Sequence, residues 1–140
     1  MAAGRSAGGN FNGALADRSA VQLGSQVIEQ LLNKHNIEPT VIDEVILGHV
    51  LSAGCGQNTA RQASIHAGIG IATPALTINK VCGSALKAVH LATQAIALGD
   101  AQLVVAGGME SMSQSAHVLP QARRGSAEER RVGRGGGGGR

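Results

Sequence analysis

The chain has 140 residues, 43% of them hydrophobic, with Phe11 as its single aromatic side chain and a formal charge of +3. That length suits one domain with a real core, built here from Ala, Val, Ile and Leu. Residues 123–140 hold six arginines and two glutamates, or +4, so residues 1–122 carry −1 and offer no electrostatic case for nucleic acid.

Residues 1–13 are rich in Gly, Ala and Asn and carry no strand pattern. Ser19 or Asp17 is placed to cap a helix over 20–35, where Val21, Leu23, Val27, Ile28, Leu31 and Leu32 form one apolar face. Asn36 closes it and Pro39 blocks its continuation. The largely apolar, β-branched run 42–51 reads as a buried strand. A helix is expected over 60–68, stopped by Gly68-Ile69-Gly70, and a strand over 75–78. A helix over 83–98 follows and ends at Gly99; a strand over 102–106 then runs into Gly107-Gly108. Strand alternating with helix predicts an α/β domain with a mostly parallel sheet. Beyond Gln121 the apolar periodicity stops, and the Gly/Arg-rich composition of 123–140 predicts a disordered tail.

No apolar run reaches the roughly 18 residues of a membrane span, and the N-terminus shows neither a secretory nor a transit pattern. Two cysteines without metal-ligand spacing argue against a disulfide scaffold or a zinc site and fit a reducing, cytoplasmic setting. His35, His49, His66, His90 and His117 share no metal-binding spacing, so each reads as an ordinary core or surface residue and no metal is expected. Cys55 follows a strand within a turn and reads as a packing residue, as do Met109 and Met112.

Cys82 differs. A short β-like run feeds directly into it, and small residues and a helical apolar pattern follow at once. The thiol is therefore expected on a strand-to-helix turn, where unpaired N–H groups favour negative charge. Gly83, Ser84 and Ala85 leave its sulfur uncrowded for an approaching carbonyl.

Ile78, Asn79, Cys82, Gly83, Ser84, Ala85, Leu86, Ala88, Val89 and Ile96 resemble the acyl-cysteine motif of the thiolases. Gly9-Asn10-Phe11-Asn12-Gly13-Ala14-Leu15 resembles the segment after the family's first strand, and the run from Asp43 on resembles its second. Gly56-Gln57-Asn58-Thr59-Ala60-Arg61-Gln62 is similar to the family's Gly-Gln-Asn-Pro-Ala-Arg-Gln, with Thr59 in place of Pro. Gly107-Gly108-Met109-Glu110-Ser111-Met112-Ser113 resembles the family's Gly-Gly-Met-Glu-Ser-Met-Ser turn.

The resemblance implies a partial thiolase-fold N-terminal domain over 1–122, with the family's first strand missing. It implies condensation of two acetyl-CoA to acetoacetyl-CoA, and the reverse thiolysis, with Cys82 as acyl-thioester nucleophile. Coenzyme A thioesters are then substrates and no permanent cofactor is needed. A homodimer or homotetramer is implied for the intact family member, with no nucleic-acid or membrane partner. Asn58 and Arg61 are expected to serve structure or the subunit interface. The family's downstream Gly-His-Pro, Cys-x-Gly and Asn-Glu-Ala-Phe-type motifs do not occur in these 140 residues. The gene is accordingly expected to be truncated or frame-shifted and the chain inactive alone. The alternative is a non-catalytic fragment that associates with a thiolase-like subunit through 57–62.

Overall fold

The structure, a computed structural model, describes residues 1–120. The tail over 123–140, expected to be disordered, lies outside the described residues. Among the described residues three α-helices and three strands alternate: α1 (Ala20–Lys34), β1 (Glu44–Gly48), α2 (Thr59–His66), β2 (Ala75–Ile78), α3 (Ser84–Leu98) and β3 (Val104–Gly108). The strands form a parallel sheet in the order β2-β1-β3, with Val45 opposite both Ala75 and Val105. This is the expected α/β architecture.

The pleat of β1 divides the core in two. Val45 and Leu47 face a cluster made with Val21, Ile28 and Leu32 of α1, Ala60 and Ala63 of α2, and Met109. Ile46 points the other way, onto Ala88 and Ala92 of α3. Alternating residues thus bury both faces of the central strand, as a parallel sheet covered on both sides requires. Small alanines on α3 let the helix lie close to the sheet.

Helix α1 starts as expected at Ser19, whose hydroxyl accepts from the Gln22 N–H at 3.1 Å while the Gln22 side chain accepts from the Ser19 N–H at 2.9 Å. β1 is shorter at both ends than the run 42–51, and β3 begins two residues later than expected. One side chain explains both starts. Asp43 Oδ2 accepts the N–H groups of Gln102 (2.7 Å) and Leu103 (2.9 Å), which removes those two donors from the ladder. At the far end, Glu110 takes the N–H groups of Val50 and Leu51, so pairing stops at Gly48.

The N–H groups of Leu103, first, and Gln102 hold the Asp43 carboxyl below its ordinary value of 3.8. A carboxyl lowered in the native state stabilises above its unfolded pKa, and that contribution is lost as pH falls through the native value. Denaturant midpoints of the wild type and Asp43→Asn are therefore expected to differ near neutral pH and to converge in acid, below 3.8. A constant offset through the acid range contradicts this.

Against the expectation that no apolar run reaches the length of a membrane span, the window Val81–Leu98 is long and apolar enough, by length and composition, to cross one. Its Ala88 and Ala92 instead pack on the sheet with Ile46.

Candidate active site

The turn between β2 and α3 is held by its own polar groups. Asn79 Oδ1 accepts from the Val81 N–H at 2.9 Å. Ser84 Oγ accepts from the Lys80 N–H at 2.7 Å and donates to the Val81 carbonyl at 2.6 Å. The N–H groups of Gly83 and Ser84 close back on the carbonyls of Lys80 (3.0 Å) and Val81 (3.1 Å). These bonds hold Val81 at φ 50, a left-handed conformation that a β-branched residue adopts only when its surroundings over-determine it. The bend turns Cys82 out to solvent, where it is exposed and free of any disulfide. Gly83 follows as the cap residue of α3 and has no side chain to occupy the first N–H groups of the helix.

Two glycines at the strand ends seat this turn. A Cβ on Gly48 would lie 2.6 Å from Ser84 Cβ, 2.7 Å from the Ser84 carbonyl carbon and 2.8 Å from the Ala85 nitrogen. A Cβ on Gly108 would lie 2.7 Å from Ala85 Cβ. The first turn of α3 therefore rests directly on the C-terminal ends of β1 and β3, and the Gly107-Gly108 turn does lie close to the cysteine segment. Ser84 is 4% exposed, so Ser84→Ala leaves the Lys80 N–H without its partner, while the Val81 carbonyl keeps the N–H of residue 84. The expected loss is about 1–3 kcal/mol, read from denaturant midpoints. An unchanged midpoint contradicts the role given to its hydroxyl.

Asn58 and Arg61 work on backbone. Asn58, at φ 42, accepts from the Arg61 N–H (3.1 Å) and the Thr77 hydroxyl (2.8 Å) and donates to the Ala75 carbonyl (2.9 Å). Arg61 donates to the carbonyls of Thr73 and Ile71. Both tie α2 to β2 and its approach. Cys55 is half-buried and lines a cavity of about 330 Å³ with His49, Gln62 and His66; Cys82 does not line it. The two methionines part company: Met109 is buried, whereas Met112, expected to pack, is exposed. Met109 lies against Gly24 of α1, while Met112 opens a short 3-10 turn that points away from the core.

His49 carries more than the sequence suggested. It is buried, with Nδ1 2.8 Å from the Thr59 hydroxyl and Nε2 3.3 Å from Glu110 Oε1. The pairing of Gly48 with Gly108 in register is what brings it to Glu110. The readable signal was that His49 and Glu110 follow those two glycines closely in the chain.

Fold and turn define a class first: a parallel α/β domain that presents an exposed thiol between a strand end and a helix N-terminus. The family profile described as thiolase, N-terminal domain, matches residues 1–135. Acetyl-CoA acetyltransferase of Allochromatium vinosum is 61% identical over 123 residues, which are 88% of this chain and 31% of that protein. Acetyl-CoA acetyltransferase of Pseudomonas aeruginosa is 54% identical over 125 residues, 89% of this chain and 32% of that one. The crystal structure of Acat5 thiolase from Ascaris suum in complex with coenzyme A matches with a TM-score of 0.78 at 42% identity. That match covers 81% of this chain and 30% of the other. The chain belongs to the thiolase family, through its N-terminal domain. It spans about three tenths of the length of these relatives.

Proposed function

We propose that this chain supplies the acyl-accepting half of a thiolase-type site that condenses two acetyl-CoA to acetoacetyl-CoA and runs the reverse thiolysis. The observation that carries the reading is the exposed Cys82 thiol on a turn braced against the N-terminus of α3. In the first step Cys82 Sγ attacks the thioester carbonyl carbon. A new S–C bond forms, the bond from carbon to the coenzyme A sulfur breaks, and coenzyme A leaves carrying the proton from the Cys82 thiol. In the second, the α-carbon of another acetyl-CoA gives up a proton and attacks the acyl carbon; a C–C bond forms, the bond to Cys82 sulfur breaks, and the proton is balanced by the thiol regenerated at Cys82. Dividing the reaction this way replaces one difficult step by two easier ones.

What the residues contribute is placement and charge. Cys82 sits beside the uncapped start of α3, where donors face developing negative charge. Coenzyme A thioesters as substrates accord with the coenzyme A bound to the Ascaris suum relative. A cytoplasmic homo-oligomer is the matching setting for the whole protein. The groups that move protons in the family lie in motifs absent from these 140 residues. The 140 residues by themselves are expected to be inactive; the alternative reading is a non-catalytic fragment able at most to associate with a thiolase-like subunit through 57–62.

The test is a chimera in which residues 1–120 replace the matching segment of the Allochromatium vinosum relative. It is expected to thiolyse acetoacetyl-CoA, and Cys82→Ala in it to lose about three orders of magnitude or more. A folded chimera whose activity survives that substitution sinks the assignment. Turnover by the 140 residues alone overturns only the statement that they are inactive.

A further inference from the structure

The buried His49 is used by nothing in the mechanism, yet both its ring nitrogens are engaged. Nδ1 lies 2.8 Å from Thr59 Oγ1, and Nε2 lies 3.3 Å from Glu110 Oε1. Thr59 is itself only 1% exposed. Glu110 serves as an acceptor on both oxygens: Oε2 takes the Val50 N–H at 3.0 Å, and the Leu51 N–H is shared between Oε1 and Oε2 at 3.3 Å. An acceptor so occupied calls for a donor on the ring, which places a proton on Nε2. The Thr59 hydroxyl, with no other acceptor among the described residues, then donates to Nδ1.

The position of this chain of bonds gives it a role. His49 directly follows Gly48, and Glu110 lies two residues past Gly108, the two glycines on which the first turn of α3 rests. The Met109 N–H also donates to the Gly48 carbonyl at 2.9 Å, and the His49 N–H to the Ile78 carbonyl at 3.0 Å, the last residue before the cysteine turn. The ends of all three strands are thus tied together beside the first turn of α3. Thr59 stands where the resembling segment has Pro, which has no hydroxyl to offer.

We propose that the Thr59–His49–Glu110 chain is a tautomer-set latch that positions the Cys82 turn. The proposal rests on the reading of Cys82 as the nucleophile. His49 is a positioning residue in it; its ring never meets the reacting atoms. Glu110, an acceptor, selects the tautomer by calling for the Nε2 proton, Thr59 completes the chain by donating to Nδ1, and Glu110 pins the strand ends.

The experiment uses the full 140-residue chain, labelled with nitrogen-15. The imidazole spectrum is recorded, and native alkylation of Cys82 and Cys55 by iodoacetamide is followed by peptide mapping. The latch predicts the Nε2–H tautomer for His49 in the wild type. In Thr59→Val the Nε2–H tautomer stays but the Nδ1 resonance moves to that of an unbonded ring nitrogen, and Cys82 alkylation slows by about 2- to 30-fold, the span of coupling carried by packed networks. Thr59→Ser restores both. An Nδ1–H tautomer in the wild type overturns the latch and needs no variant to show it. So does a folded Thr59→Val with an unchanged Cys82 rate, or a Thr59→Ser that fails to restore it. Cys82 reacting no faster than Cys55 in the wild type would sink the nucleophile reading instead, whatever tautomer His49 adopts.

Discussion

Gly48→Ala is expected to cost about 3 kcal/mol or more, at or beyond the upper end of ordinary overpacking. The added methyl would meet Ser84 Cβ at 2.6 Å and the backbone of Ser84 and Ala85 at 2.7 and 2.8 Å. None of these atoms is the far end of a flexible side chain, so the methyl is accommodated only by moving the first turn of α3 off the end of β1. That turn also bears the Ser84 bonds to Lys80 and Val81, so the displacement breaks the brace around the cysteine as well. Two readouts should move together: the denaturant midpoint falls, and native alkylation of Cys82 loses its advantage. A midpoint within experimental error of the wild type contradicts the seating of α3.

Ile46→Ala is expected to cost about 2–5 kcal/mol, the range for truncating a buried aliphatic side chain. Ile46 is 2% exposed and is the residue of β1 that meets Ala88 and Ala92 of α3. Ile46→Val, which removes one methyl, is expected to cost about 0.5–1.5 kcal/mol. Denaturant melts of the two variants check the ordering, and equal losses would show that the α3 face is not packed around this side chain.

The parts of the fold readable from the sequence are those where local signals and tertiary packing agree. β2 lies at 75–78 as expected, because Pro74 and Asn79 bracket it. α1 starts at Ser19 because a hydroxyl and a Gln three residues on make a reciprocal cap. β1 is shorter than its composition suggests because 49–51 look like more strand, whereas the N–H groups of Val50 and Leu51 go to Glu110, about sixty residues away. β3 starts later than its apolar residues suggest for the same kind of reason, through Asp43. Local composition does not report a side chain that caps a strand from afar.

In the site, the turn that carries Cys82 was legible from its flanking residues, and its exposure agrees with the small residues that follow it. The conformation that exposes it was not. A valine at positive φ runs against the preference of β-branched residues, and only the bonds from Asn79 and Ser84 account for it. The His49–Glu110 contact was equally hidden, since it depends on which strand lies beside β1.

The central claim is that this fold presents Cys82, and not Cys55, as the nucleophile. Cys55 is half-buried in a turn, with Sγ near the carbonyls of Leu51 and Ala53, acceptors that do nothing to stabilise negative charge. Cys82 is exposed beside the uncapped start of a 15-residue helix. The direct measurement is competitive alkylation of the native chain with iodoacetamide, quantified at both peptides, and repeated in denaturant. Faster labelling of Cys82 in the native state, with the difference abolished on unfolding, is the predicted result. Equal native rates, or faster labelling of Cys55, would contradict the account.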